Sequence, residues 1–324
     1  MSRKYGKKVE IKINPLAYNI GLIGESGIGK STTIKEFCEK LVGDDGYIML
    51  DIGKEDGHKA INGIVSAEIP DWDTFSDFVD DVIENKTTDY KDLKVIGLDT
   101  YDQLVEIAEP EVVRMHNRAN PDKRVDSINA AFGGFGKGMD KVSEIILDKL
   151  WELKKVGVSF IMIGHVKNKE IDDAATGESY SILTTNMSQK YFNAIKTKLD
   201  FLGVAYVDRK IVKEKTGKKN IATKQDIVKR KVAEESRRIS FRDDNYSIDS
   251  KSRFADIVSN IPMNSDALIK AINDAIMAEH SKGEKRVDES KKEEAKEAKN
   301  KEKEVEKYIE NRKATKVDEV VNVK

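Results

Sequence analysis

Cysteine is almost absent from this chain: Cys38 is the single one in 324 residues, so no internal disulfide can form. It falls on the apolar face of a helical pattern, where a small core side chain is the expected role rather than a nucleophile. Long apolar runs are missing too. None approaches the ~18 residues that span a bilayer, and residues 1–12 are charged with no apolar stretch, so neither a membrane span nor a secretory leader is expected. A soluble chain in a reducing, cytoplasmic compartment is the expectation. Net charge is missing as well, at −1 from 57 basic and 58 acidic side chains. That balance hides an asymmetry. Residues 1–200 carry 27 basic against 34 acidic side chains, whereas residues 201–262 carry 15 against 9. A basic later part is compatible with a nucleic-acid surface at one end of the molecule.

What is present begins with "NIGLIGESGIGKSTTIKEFCEKL". An apolar run, Ile20 to Ile23, breaks into Gly24-Glu25-Ser26-Gly27-Ile28-Gly29-Lys30-Ser31, and a helical pattern follows with Ile34, Phe37, Cys38 and Leu41 on one face. Strand, glycine loop and helix match G-x-x-x-x-G-K-[ST] at every fixed position. Glycines let successive backbone N–H groups turn inward toward phosphate oxygens, and the helix start adds its positive dipole end. Lys30 can reach the β- and γ-phosphates, and the Ser31 hydroxyl can ligate Mg²⁺. The candidate nucleotide-binding set is Gly24, Glu25, Ser26, Gly27, Ile28, Gly29, Lys30, Ser31 and Thr32. ATP and Mg²⁺ are the implied ligands.

Apolar, β-rich segments recur at 18–24, 47–52, 94–100, 159–165 and 201–207, with helical patterns at 31–41, 74–83 and 139–155 between them. Such alternation predicts an α/β fold with a mainly parallel central sheet and helices on both faces. Segments 201–212 and 237–241 read as antiparallel edge strands, joined through a charged hairpin around Thr216 and Gly217. After Pro262, Ser265 is the expected N-cap of a helix from Asp266 to His280, with Leu268, Ile269, Ile272 and Ile276 as its apolar stripe. Residues 281–324 carry 14 basic and 12 acidic side chains and little to bury, the composition of a solvated, partly helical tail. The expected divisions are 1–262, 263–280 and 281–324.

A triphosphate site also needs an acid at the end of an apolar strand to hold the Mg²⁺ shell, and "VIGLDT" supplies Asp99, followed by Thr100. The candidate metal residues are therefore Ser31 and Asp99. Hydrolysis needs a carboxylate to orient or deprotonate water. In many P-loop ATPases that glutamate directly follows the strand-end aspartate, where this chain has Thr100. The acid is then sought in "LDIGKEDG": Glu55, with Asp56 and Asp51 as alternatives, or a merely solvated acidic loop. His165, ending "FIMIGH", reads as a strand-end histidine, and Lys251 and Arg253 in "DSKSRF" read as surface charges.

Together, "GESGIGKST", "VIGLDTYDQL", "AAFGGFGKGMDKV", "FIMIGHVKNKE" and "RRISFRDDNYSIDSKSRF", spanning roughly residues 18–262, resemble the RecA-like ATPase core. More specifically, they resemble the phage-encoded RecA-like P-loop ATPases of the Sak-type single-strand annealing group, or phage nucleotide-binding proteins. The resemblance implies a γ-phosphate sensor at His165 and a nucleotide-gated, DNA-facing loop over 166–185. It also implies a Lys-x-Arg pair, Lys251 and Arg253, presented to a neighbouring subunit's nucleotide in a ring or filament. The implied catalytic set is Lys30, Glu55, His165, Lys251 and Arg253. Two departures stand out. Glu55 lies two residues further from its strand than the RecA-like catalytic glutamate, and the 166–185 stretch is acidic, a poor match for a phosphate backbone. The better electrostatic match is Arg209 to Lys231, with ten basic residues against Glu214 and Asp226.

The expectation is an ATP-hydrolysing, oligomeric protein that binds single-stranded DNA and promotes annealing or recombination, slowly and with Mg²⁺. Its setting is the host cytoplasm if the chain is phage-encoded, and a single-strand DNA-binding protein is a further partner. A helicase or helicase-loader motor, a small-molecule kinase and a non-catalytic nucleotide-gated DNA-binding module are the rivals. The long 201–262 extension speaks against the kinase.

Overall fold

The structure, a computed structural model, describes residues 11–54, 57–172, 177, 179–219, 226–242 and 249–282. Among the described residues ten strands form one sheet: β1 (Ile20–Gly24), β2 (Tyr47–Ile52), β3 (Ser66–Ile69), β4 (Val95–Asp99), β5 (Ser159–Asp172), β6 (Ser179–Thr185), β7 (Phe201–Lys219), β8 (Asp226–Ser240), β9 (Lys251–Ser252) and β10 (Asn260–Pro262). Their order is β10-β8-β7-β1-β5-β4-β2-β3, with β6 on β5 and β9 on β7. From β7 to β3 every neighbouring pair is parallel, and β8, β10, β6 and β9 add antiparallel pairings. The fold is thus α/β with a mainly parallel central sheet and antiparallel edge strands.

Among the described residues six α-helices accompany the sheet: α1 (Lys30–Val42), α2 (Trp72–Glu84), α3 (Tyr101–Ala119), α4 (Lys137–Lys155), α5 (Gln189–Lys196) and α6 (265–282). Strand side chains alternate between two buried faces. Ile96, Leu98, Phe160 and Met162 join one cluster with the apolar faces of α2, α3, α4 and α5. Val95, Ile161 and Ile163 are equally buried on the alternate positions. Ile34, Phe37 and Cys38 of α1 are fully buried, each larger side chain contributing about 1.5–3 kcal/mol. Burial pushes the Cys38 thiol far above the ordinary range, with Glu39 adding to the shift, which leaves it a core residue and no nucleophile. No described helix is long and apolar enough to cross a membrane.

The sheet differs from expectation in several places. β7 is an interior strand, because Phe201 to Ala205 pair in parallel with Ile20 to Gly24 before the strand continues against β8. Thr216 and Gly217 lie inside β7 rather than at a turn, and residues 220–225, between β7 and β8, lie outside the described residues. The expected loop over 166–185 is instead a hairpin, with Val166 paired to Thr185 and Asp172 to Ser179. Its polar, acidic composition hides a strand, since ladder hydrogen bonds come from the backbone, and among the described side chains of β6 only Ile182, Thr184 and Thr185 are buried. α3 is a 19-residue helix with Pro110 in its interior, and the buried stripe of Leu104, Val105, Ala108 and Val112 outweighs that proline. Finally, the cap of α6 is Asn264, whose Oδ1 accepts from Ala267 N at 2.8 Å. Ser265, one residue later, contacts Glu36 and Lys40 on α1 instead.

By contacts the chain divides into two compact units, Asn14–Ala275 and Met1–Ile13 with Ile276–Lys324. The first holds the whole sheet. Of the second, residues 11–13 and 276–282 are described, the latter helical, and the charged stretch from 283 onward lies outside the described residues.

Candidate nucleotide site

The loop from Gly24 to Ser31 leaves the C-terminal end of β1 and enters α1. Gly27 and Gly29 have φ of 74° and 106°, a left-handed backbone that side-chain-bearing residues rarely adopt, so the loop can curl only where the sequence has glycine. Gly24 is needed for a different reason, because a Cβ there would come within 2.9 Å of the Ala205 carbonyl oxygen on β7. Lys30 is 5% exposed, and its Nζ donates to the carbonyls of Gly24 (3.0 Å) and Glu25 (2.9 Å). The ammonium is thereby folded over the mouth of the loop that α1's N-terminus faces.

Asp99 ends β4, two strands from β1 with β5 between them. Even so, Ser31 Oγ donates to Asp99 Oδ2 at 2.5 Å. Hydroxyl and carboxylate are both hard oxygen ligands of the kind Mg²⁺ takes, and they stand side by side. Next in the chain, Thr100 is buried, its Oγ1 without a hydrogen-bond partner among the described residues, and the Asp99–Thr100 peptide is cis. A glycine loop curled at the start of a helix, a buried ammonium, a paired hydroxyl and carboxylate, and a buried hydroxyl unsatisfied among the described residues fit a nucleoside triphosphate with its Mg²⁺.

His58 completes the floor of the site. It sits on the turn Gly57–Ala60 after β2, and its Nε2 donates to Asp99 Oδ2 at 3.0 Å. Its Nδ1 lies 3.9 Å from Asp51 Oδ2. Asp51 and Asp99 are register partners on β2 and β4, so His58 bridges two buried carboxylates. That histidine had no signal in the sequence beyond its place after the acidic "GKEDG". Asp51 is therefore the one acid of the three candidates that can be located in the site, while Glu55 and Asp56 lie outside the described residues.

His165 stands at the sheet position beside Gly24, its register partner across β1 and β5. Its Nδ1 lies 2.7 Å from Asp102 Oδ2 in the first turn of α3, and its backbone N–H donates to the same carboxylate at 3.2 Å. It is also the residue from which the β5–β6 hairpin departs. The structure thus brings together the phosphate loop, Asp99 and His165.

Lys251 and Arg253 are elsewhere. β9 pairs with Phe201 and Leu202 at the start of β7, whereas the phosphate loop begins beside Ala205. Four residues of strand amount to about 13 Å, and the pair lies at the opposite end of the sheet from this chain's own loop. There Lys251 Nζ donates to the carbonyls of Lys196 (2.7 Å) and Thr197 (3.3 Å), and Arg253 NH2 donates to Thr197 O (2.8 Å). Cations on the last carbonyls of α5 suit the negative end of its dipole. Burial, with the Arg253 charge beside it, holds the Lys251 ammonium below the usual lysine range. The segment is tied down by Asp249, buried, whose Oδ2 accepts from Thr184 Oγ1 and Thr185 N, both at 2.8 Å.

Among the comparisons with known proteins, an AAA domain matches residues 16–302. Among solved structures, the chain is similar to a prototypical ATPase from the type III secretion system of pathogenic bacteria, at 14% identity and a TM-score of 0.33. That likeness covers 58% of this chain and 50% of the other, so the chain spans about half the length of that ATPase. No curated protein matches the chain. The family match takes in the phosphate loop, Asp99, His58 and His165 alike, and with it the chain belongs to the AAA domain family of P-loop ATPases.

Proposed function

We propose that the chain is a Mg²⁺-dependent ATPase of the RecA-like, Sak-type single-strand annealing group, and that it uses slow ATP turnover to switch its grip on single-stranded DNA. The observation that carries the ATPase reading is the 2.5 Å contact of Ser31 with Asp99 at the mouth of the Lys30 loop. Lys30, released from its two carbonyls, neutralises the β- and γ-phosphates, and the loop amides orient them. Ser31 and Asp99 would hold Mg²⁺, which supplies charge neutralisation between the phosphates. Asp51 or Glu55 orients the attacking water, and His58 keeps Asp99 in place. His165 links the γ-phosphate to the β5–β6 hairpin, and Lys251 and Arg253 serve a neighbour's nucleotide in an oligomer.

The DNA reading is supported by the sequence resemblance and by the β7–β8 arm. Two rungs of that arm are neutralised within it, Arg209 with Glu235 (3.2 Å) and Lys210 with Glu234 (3.7 Å). The stretch from Lys213 to Lys231 adds eight basic residues against Glu214 and Asp226. The test is single-strand binding and annealing measured across a salt series. Each neutralised phosphate contributes to the salt slope, so replacing Lys218 and Lys219 with Gln should make log K against log salt shallower by about 1.4. It should weaken binding to every sequence alike. Absent or salt-insensitive binding would remove the DNA role and leave an ATPase of another purpose.

A further inference from the structure

Arg237 lies on β8, paired in register with Val207 on β7, and is 209 residues from the loop it touches. Its NH1 donates to the Ile28 carbonyl at 2.9 Å. A Cβ built on Gly29 would come within 3.3 Å of the same nitrogen, so the guanidinium rests against the left-handed turn where the loop passes into α1. Its neighbours are engaged otherwise: Arg238 Nε donates to Asn260 Oδ1, and Arg209 pairs with Glu235. Among the described residues no carboxylate faces Arg237, and the Ile28 carbonyl takes one of its five donors.

A guanidinium that no carboxylate pairs with among the described residues, set against the Ile28–Gly29 turn of a glycine loop of the kind that cradles phosphates, suits one chemical class of ligand, a phosphate anion. We propose that Arg237 binds the nucleotide in cis, its remaining donors contacting a phosphate that ADP and ATP share. The Ile28–Gly29 turn adjoins the start of α1, the end of the loop that serves the inner phosphates rather than the terminal one. This assignment rests on the ATPase reading above. It gives the arm a direct tie to the site, because the residue that meets the phosphate is part of the strand that forms the arm.

The test is equilibrium binding of Mg·ATP and Mg·ADP to the full chain, comparing wild type, Arg237→Ala, Arg237→Gln and Arg237→Lys, with Lys30→Ala as the control for the loop. Losing a charge-assisted contact to phosphate should weaken both nucleotides roughly 10- to 100-fold in Arg237→Ala. Arg237→Gln, which keeps a donor for Ile28 but no charge, should weaken them similarly, and Arg237→Lys less. The melting temperature without nucleotide should not move in the Gln variant. Wild-type affinity for both nucleotides in the Ala and Gln variants, with Lys30→Ala impaired, overturns the assignment while leaving the ATPase reading intact. A loss confined to ATP also overturns it, since the contact would then be to the terminal phosphate. If the wild type binds neither nucleotide, the ATPase reading falls and this assignment falls with it.

Discussion

Ser31 and Asp99 meet at 2.5 Å although 68 residues and an intervening strand separate them. The geometry follows from the parallel sheet. β1 and β4 end at the same edge, α1 begins at that edge, and a serine on the first turn of α1 reaches across the end of β5. Among the described residues, every chemical group of the candidate site except the Lys251–Arg253 pair lies at that edge, as expected for an open α/β sheet whose ligands bind beyond the carboxyl ends of its strands.

His58 is buried between two carboxylates and is the direct support of Asp99. His58→Ala removes a donor and leaves carboxylate oxygen buried, so unfolding free energy in urea should fall by about 1–3 kcal/mol. ATP turnover should fall as well, through a less well-oriented Asp99. Unchanged stability together with an unchanged rate would detach His58 from the site.

Arg253 tests the arrangement between subunits. Its distance from its own phosphate loop means that Arg253→Ala should leave nucleotide affinity intact, and stability nearly so, since an exposed cation at a helix C-terminus contributes about 0.3–1 kcal/mol. Turnover should drop if a neighbour depends on it. Mixing Arg253→Ala with Lys30→Ala protein should then restore some activity, at junctions pairing an intact loop with an intact Arg253. Full, concentration-independent turnover by a monomer would leave Lys251 and Arg253 as caps of α5.

Much of the site was legible because its chemistry is local. Gly24 to Ser31 announce themselves by spacing, and Asp99 by the apolar strand that it ends. β2 came out with its observed bounds, and α1 and α4 within two residues, since each has a clean apolar stripe. What could not be read depends on contacts made across the fold. His58 matters because it meets Asp99 41 residues away, and Arg237 because β8 delivers it to Ile28. α3 was hidden by Pro110, and the β5–β6 hairpin by a charged sequence whose pairing lies in the backbone. The tie from Asp249 to Thr184 and Thr185, linking that hairpin to the "DSKSRF" segment, has no local signature either.

The most direct test of the central claim is steady-state phosphate release from ATP by the purified chain, with and without Mg²⁺, for wild type, Lys30→Ala and Asp99→Asn. The account predicts measurable release by the wild type that stops when Mg²⁺ is chelated. It predicts at least a roughly 10²-fold loss in both variants, because each removes charge or orientation acting on the transferring phosphate. Asp99→Asn should still bind nucleotide. Wild-type rates in both variants, or turnover indifferent to Mg²⁺, would contradict it.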